Sequence, residues 1–155
     1  IMDTRTGQKV FEGLSMPHTT RLRHDGLWFL EAGTGWICKG DPASGKWERL
    51  LWRPGFLRGL RFYKDYAFIC LSRPREKIFD DLVLQDTLDE KNRQAECAME
   101  IIDLKSMEVL HRLVITGSIC ELYDVALLPD CRKPFLHGIY GEDFGRIIVI
   151  GHDQS

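Results

Sequence analysis

The polar residues of this chain that could bind a ligand or react with one recur at equivalent positions of a repeat. Alignment of the second copy of the repeat on the first places His18 opposite Arg58. The same alignment places Arg21 opposite Arg61. Alignment of a third copy on the second brings Tyr123 near the position of Arg58, with polar neighbours on both sides. The predicted ligand-binding residues lie in or just before the first strand of a repeat copy, or at the start of a polar insertion. They are His18, Arg21, Arg58, Arg75, Glu121, Tyr123 and Asp124.

These side chains support several kinds of chemistry if they surround a common channel. They could bind a metal ion through His18, Glu121 and Asp124. They could also hold a carboxylate or phosphate through Arg58, or carry out general acid–base chemistry. Equally, they could pair with one another and tie neighbouring sheets together. No nucleophile–base motif accompanies them, so the sequence leaves these alternatives open.

A second group of charges opens the polar insertion. Arg73 and Arg75 form a potential fork that could recognise an anionic group in bidentate fashion. Solvated surface charge or a structural ion pair explains the same residues. The sequence does not decide between these interpretations.

A short turn motif occurs three times and separates the predicted strands, which must position these residues. The three copies begin at Asp3, Asp41 and Asp103, and each copy joins two apolar or alternating runs. Such a pattern is typical of a tight hairpin between the two outer strands of a repeated sheet. The predicted strands span residues 18–25, 27–31, 36–40 and 47–52, then 59–63, 66–71, 98–102 and 109–115, then 122–128, 134–138 and 146–150.

The second copy contains a long polar insertion, at about residues 74–95. The insertion is rich in Asp, Glu, Lys and Arg, and within it residues 79–91 could form a short helix or an ordered loop. A long segment inside a compact repeat is more often functional or partner-facing than idle, although disorder is an alternative. It is therefore a predicted contact region for a protein partner.

Four short strands in a repeat of about 40 residues predict the blade of a β-propeller. The predicted fold class is all-β, with antiparallel four-stranded blades, about two of them full and partial blades at each end. Residues 1–155 would then be a single segment, the C-terminal part of a longer propeller. Either further blades or association of copies would close the ring, because propellers abolish free sheet edges.

Composition narrows the classes of partner. The apolar content of 44% suits a soluble globular domain, and the net charge of −2 with interspersed signs does not predict a nucleic-acid partner. Neither a membrane-spanning run nor a signal peptide is apparent, so we expect a cytoplasmic protein. The five cysteines are widely spaced without a C-x-x-C pair, so no disulfide or zinc framework is predicted.

Five phrases together resemble an uncharacterised bacterial family, a domain of unknown function with predicted β-propeller architecture. They are GLSMPH (13–18), GTG (33–35), PGFLRGL (54–60), SRPRE (72–76) and ELYDV (121–125). Their order and spacing are similar to the C-terminal half of the family pattern, which implies further strands upstream. Thr19-Thr20 stand where members often carry a small residue and proline. The resemblance supplies no catalytic residue.

Besides a structural module within a larger assembly, two function classes remain from the sequence. The first is a binding scaffold that holds a small polar or anionic ligand, or a protein partner, at the channel mouth. The second is an enzyme resembling metal-dependent lactonase-like propellers, which need several acidic or amide ligands on one ion. At most Glu121 and Asp124 would serve here, which favours the scaffold. Whether the protein is an enzyme, and which cofactor it would use, the sequence does not say.

Overall fold

The computed structural model describes residues 1–73 and 83–132, which form two antiparallel sheets and one short helix. The fold class is therefore all-β, as predicted. Within these residues no helix is both long and apolar enough to cross a membrane. The strands of the first sheet are β1 (Pro17–Arg23), β2 (Gly26–Glu31), β3 (Trp36–Asp41) and β4 (Lys46–Trp52). The second sheet comprises β5 (Phe56–Tyr63), β6 (Tyr66–Ser72), β7 (Ala98–Asp103) and β8 (Val109–Val114), and α1 (Val83–Glu90) lies between β6 and β7.

Both sheets are meanders in which each strand pairs with the next along the chain. Their orders are β1-β2-β3-β4 and β5-β6-β7-β8, and all eight strand predictions are confirmed with small shifts at their ends. In β7 the burial alternates strictly between buried and half-buried residues, as expected when successive side chains point to opposite faces. In β2 the last four residues are all buried, because both faces of the first sheet are covered.

The main core lies where the two sheets meet. The buried residues of this inter-sheet core are Trp28, Leu30, Ile37, Leu57, Leu60, Ala67, Ile69, Leu71, Ala98 and Ile102. The first strands of the two sheets, β1 and β5, lie next to each other. Burial of this apolar surface is what holds the sheets together.

The opposite face of the first sheet is covered by the N-terminal hairpin, residues 1–12. Met2 forms an isolated antiparallel bridge with Lys9. Phe11 is buried against Phe29, with 5.5 Å between ring centroids, and Cys38 belongs to the same cluster. The hairpin therefore shields this face of the first sheet from solvent.

The strand pairing of the first sheet repeats in the second with the predicted alignment. The pair Arg21↔Trp28 in β1–β2 corresponds to Arg61↔Phe68 in β5–β6, and most of the other pairs of β1–β2 also have matching partners. Both first strands contain a register shift at nearly the same place, after His18 in β1 and after Leu57 in β5. The exception is the pair His18↔Leu30, because Arg58 lies within the register shift of β5.

Three turns are built in the same way. In each, the amide N–H of the fifth residue donates to the carbonyl oxygen of the aspartate that begins it, and an aspartate Oδ1 accepts from an amide two residues later. The fifth residues are Gly7, Gly45 and Met107, with φ of 71°, 70° and 57°. This left-handed conformation suits glycine, whereas Met107 adopts it with a side chain that packs against the inter-sheet core.

Two buried carboxylates are each held by an arginine fork. Glu31 accepts from Arg49 at 2.8 and 3.1 Å, and Glu100 accepts from Arg53 at 2.6 Å through both oxygens. Arg53 precedes β5, and its backbone N–H donates to the carbonyl of Gly35 in the first sheet at 2.8 Å. A single residue therefore links a turn of the first sheet to the interior of the second.

Of the two alternatives expected for residues 79–91, a short helix or an ordered loop, the structure shows a helix at α1. Leu84 and Leu88 are buried against Ala32 and Phe56, and the Leu84 amide donates to the Gly33 carbonyl at 2.9 Å. The helix is thus packed between the turn that follows β2 and the start of β5. Residues 74–82 lie outside the described residues.

The prediction of a strand at residues 122–128 is wrong. Residues 122–128 pair with none of the described strands, and the strands predicted beside them, 134–138 and 146–150, lie outside the described residues. The Leu122 amide donates instead to Ser72 Oγ at 3.0 Å. Nearby, a Cβ on Gly59 would lie 2.9 Å from the Asp124 backbone, so glycine permits this segment to approach β5 closely.

We expect Gly45→Val to lower the free energy of unfolding by about 1.5 kcal/mol, because a β-branched residue is strained at this positive φ. Gly45→Asn is the matched control and should cost clearly less, because asparagine tolerates the left-handed region. Urea unfolding measures both variants. Equal losses for the two would contradict a conformational cause.

We expect Arg53→Met to lower the free energy of unfolding by about 3 kcal/mol, because among the described residues it leaves buried Glu100 with only Arg112 as a cationic partner. Arg5→Met, at an arginine whose side chain is 88% exposed, is the control and should change stability by less than about 0.5 kcal/mol. Both are measured by urea unfolding. A loss at Arg53 no larger than the loss at Arg5 would refute the proposed link between the sheets.

Candidate functional site

Four side chains meet where the first strands of the two sheets begin. We call this group, made of His18, Phe56, Arg58 and Tyr123, the mouth cluster. His18 lies in β1 and Arg58 in β5, at positions related by the repeat, whereas Tyr123 comes from the segment that packs beside β5. The stacking of the sheets therefore assembles residues that are far apart in the chain.

Arg58 is the centre of the mouth cluster. Its guanidinium carbon lies 5.1 Å from the centroid of the Phe56 ring and 4.5 Å from that of Tyr123. Both contacts attract the cation to the negative face of a ring. Its Nε is buried, and none of the described residues offers that atom a hydrogen-bond acceptor. Two aromatic rings therefore hold the guanidinium of Arg58 in place, and its Nε has no acceptor among the described residues.

His18 is a half-buried neighbour of this cation. Its ring stands edge-on to Phe56, with 5.6 Å between centroids. Burial lowers the pKa of His18 below its ordinary value of 6.5, and the positive charge of Arg58 lowers it further. At neutral pH the imidazole is therefore uncharged, with one nitrogen that donates a hydrogen bond and one that accepts.

A second group lies further along β1 and β5. We call it the first-strand cluster, and it consists of Arg21, Arg61 and Asp124. Asp124 Oδ2 lies 3.3 Å from Arg61 Nη2 and 3.9 Å from Arg21 Nη2. Arg21 Nε also donates to the carbonyl of Leu60 at 3.2 Å, so it bridges from β1 to β5. These residues pair with one another across neighbouring strands.

The predicted residues thus fall into two groups rather than one. His18, Arg58 and Tyr123 come together through Phe56, and Arg21 and Asp124 come together through Arg61. Phe56 and Arg61 complete these groups but were not among the predicted site residues. The repeat alignment had placed Arg61 opposite Arg21 and was the signal that could have identified it. Glu121 is half-buried, and Arg75 lies outside the described residues.

The described residues contain no group of three or more His, Cys, Asp or Glu side chains arranged to hold a metal ion. His18, Glu121 and Asp124 therefore do not form a donor set there. Surface hollows of about 450 and 220 Å³ lie elsewhere, beside the N-terminal hairpin and beside residues 127–130. The mouth cluster is defined by its polar and aromatic groups.

Comparison with known proteins identifies a family for this chain. The model of a protein family described as Domain of unknown function (DUF4915) matches residues 1–136 of the chain. No curated protein matches it. The matched range includes both sheets and all residues of the two clusters.

We expect His18 to titrate below 6.5 in the folded protein, and Arg58→Gln to raise its pKa partway toward that value, because burial remains. Between the folded pKa and about 6.5 the unfolded chain binds a proton that the folded chain does not, so stability falls as pH decreases through this window. The imidazole resonance in an NMR titration, assigned with His18→Gln, measures the pKa.

Arg61→Gln is the matched control for this titration, because it removes a guanidinium outside the mouth cluster and should leave the His18 pKa unchanged. A folded-state pKa at or above 6.5 would show that the imidazole is not in the environment described.

Proposed function

The chain belongs to the family described as Domain of unknown function (DUF4915), and from that premise we propose that it is part of a β-propeller that binds a small anionic ligand at its channel mouth. The ligand would bind to the mouth cluster. In this proposal residues 1–155 form a single propeller segment, and the other predicted site residues line or surround the same channel.

The arrangement of the sheets supports the propeller. Two four-stranded meanders follow one another, repeat the same register and stack through an apolar core. The N-terminal hairpin has the same turn as the outer hairpins of both sheets and covers the free face of the first. Stacking in series with the first strands adjacent is the arrangement of propeller blades.

The observation that carries the ligand proposal is the environment of the Arg58 guanidinium. Two aromatic rings fix its guanidinium, so little side-chain entropy remains to be lost when a ligand binds. Its Nε has no acceptor among the described residues, and a buried donor without an acceptor is unfavourable. A carboxylate or phosphate oxygen would satisfy it with a charge-assisted hydrogen bond.

The neighbours of Arg58 add selectivity to this proposal. Neutral His18 contributes no second charge, but it can donate or accept one hydrogen bond. Tyr123 is exposed and offers an aromatic face as well as a hydroxyl group. We therefore expect a ligand with a single anionic group attached to a polar or planar body.

We expect wild-type protein to bind at least one anion from a panel of acetate, benzoate and inorganic phosphate, and Arg58→Gln to weaken that binding about tenfold, because the charge is lost. Isothermal titration calorimetry at low ionic strength provides the affinities. Arg5→Gln, which removes one positive charge from the exposed N-terminal hairpin, is the control and should bind like wild type.

The proposal fails if none of these anions binds, or if Arg58→Gln binds them as tightly as the Arg5→Gln control. Urea unfolding of both variants accompanies the titrations, so that a loss of affinity is compared only between folded proteins.

A further inference from the structure

Two guanidinium groups from neighbouring sheets converge on one oxygen atom. Arg21 and Arg61 occupy equivalent positions of β1 and β5, and both direct Nη2 toward Oδ2 of Asp124. The repeat therefore places two positive charges side by side on the surface formed by the first strands. One carboxylate faces them, so the first-strand cluster retains a net charge of one positive unit.

Arg21 is held independently of Asp124, whereas Arg61 contacts Asp124 directly. Arg21 Nε donates to the Leu60 carbonyl at 3.2 Å, and its Nη1 donates to the carbonyl of Thr20 at 3.0 Å. These backbone contacts orient the guanidinium between the two strands. A cation that its own scaffold positions is prepared to receive an anion, because less side-chain freedom is lost on binding.

Asp124, by contrast, is held loosely. Its distances of 3.3 and 3.9 Å to the two arginines exceed the 2.7–2.9 Å that is typical of strong charge-assisted bonds. Its side chain is 54% exposed, and its other oxygen accepts from the adjacent Val125 amide. Exposed ion pairs of this kind contribute little to stability, so another anion can replace the carboxylate at small cost.

We propose that Arg21 and Arg61 form an oxyanion-binding pair, which the Asp124 carboxylate fills in this structure and from which a carboxylate or phosphate group displaces it. This site is separate from the mouth cluster, and the inference does not rest on the proposed function. Asp124 thereby acts as an internal competitor. A phosphate dianion suits the pair better than a monoanion, since it matches both positive charges.

The test uses an Arg58→Gln background, in which the mouth cluster cannot contribute its charge. In that background we expect Asp124→Asn to bind inorganic phosphate at least about fivefold more tightly, because the competing carboxylate is gone. Acetate should show a smaller gain. Isothermal titration calorimetry at low ionic strength measures both anions.

Adding Arg21→Gln and Arg61→Gln to the Asp124→Asn protein should remove the gain completely. No gain from Asp124→Asn, or a gain that persists without the two arginines, overturns the inference. Unfolding of the Asp124→Asn protein also overturns it, since a carboxylate required for folding is a structural tie and not a displaceable occupant. The proposed function is judged separately, by the effect of Arg58→Gln on the otherwise wild-type chain.

Discussion

The first sheet of this protein is apolar on both faces, and a sheet of that kind cannot be stable without a neighbour on each side. In β2 the adjacent residues Phe29 and Leu30 are both fully buried although they point to opposite faces. Phe29 packs under the N-terminal hairpin, and Leu30 contributes to the inter-sheet core. The stacking of elements in series follows from this requirement, and the fork between Arg53 and Glu100 fixes one sheet against the next.

The same requirement positions the polar residues. Because the sheets stack with β1 beside β5, the starts of the two first strands lie together, and the segment that follows β8 can approach the second sheet at Gly59. His18 and Arg58 owe their proximity to this arrangement. The proximity of these side chains is therefore a consequence of how the apolar faces are covered, since no local motif brings them together.

Strand order, turn positions and the alignment of the two copies could be predicted from alternating apolar residues and recurrent turn aspartates, because both signals are local. The division of the polar residues into two clusters could not. Register shifts between His18 and Arg21, and between Leu57 and Leu60, change which way the following side chains point. The buried ion pair between Glu100 and Arg53 could not be predicted either, because the two residues are distant in the chain.

The outer hairpins of the two sheets share one turn geometry but differ in how they are anchored. At the tip of the first, Gly45 places no side chain on its neighbours, whereas Met107 at the tip of the second contributes to the apolar contact between the sheets. The first tip can fray while the rest of its sheet remains intact. The second can open only by exposing core surface, so its amide protons should exchange with solvent as part of a larger cooperative unit.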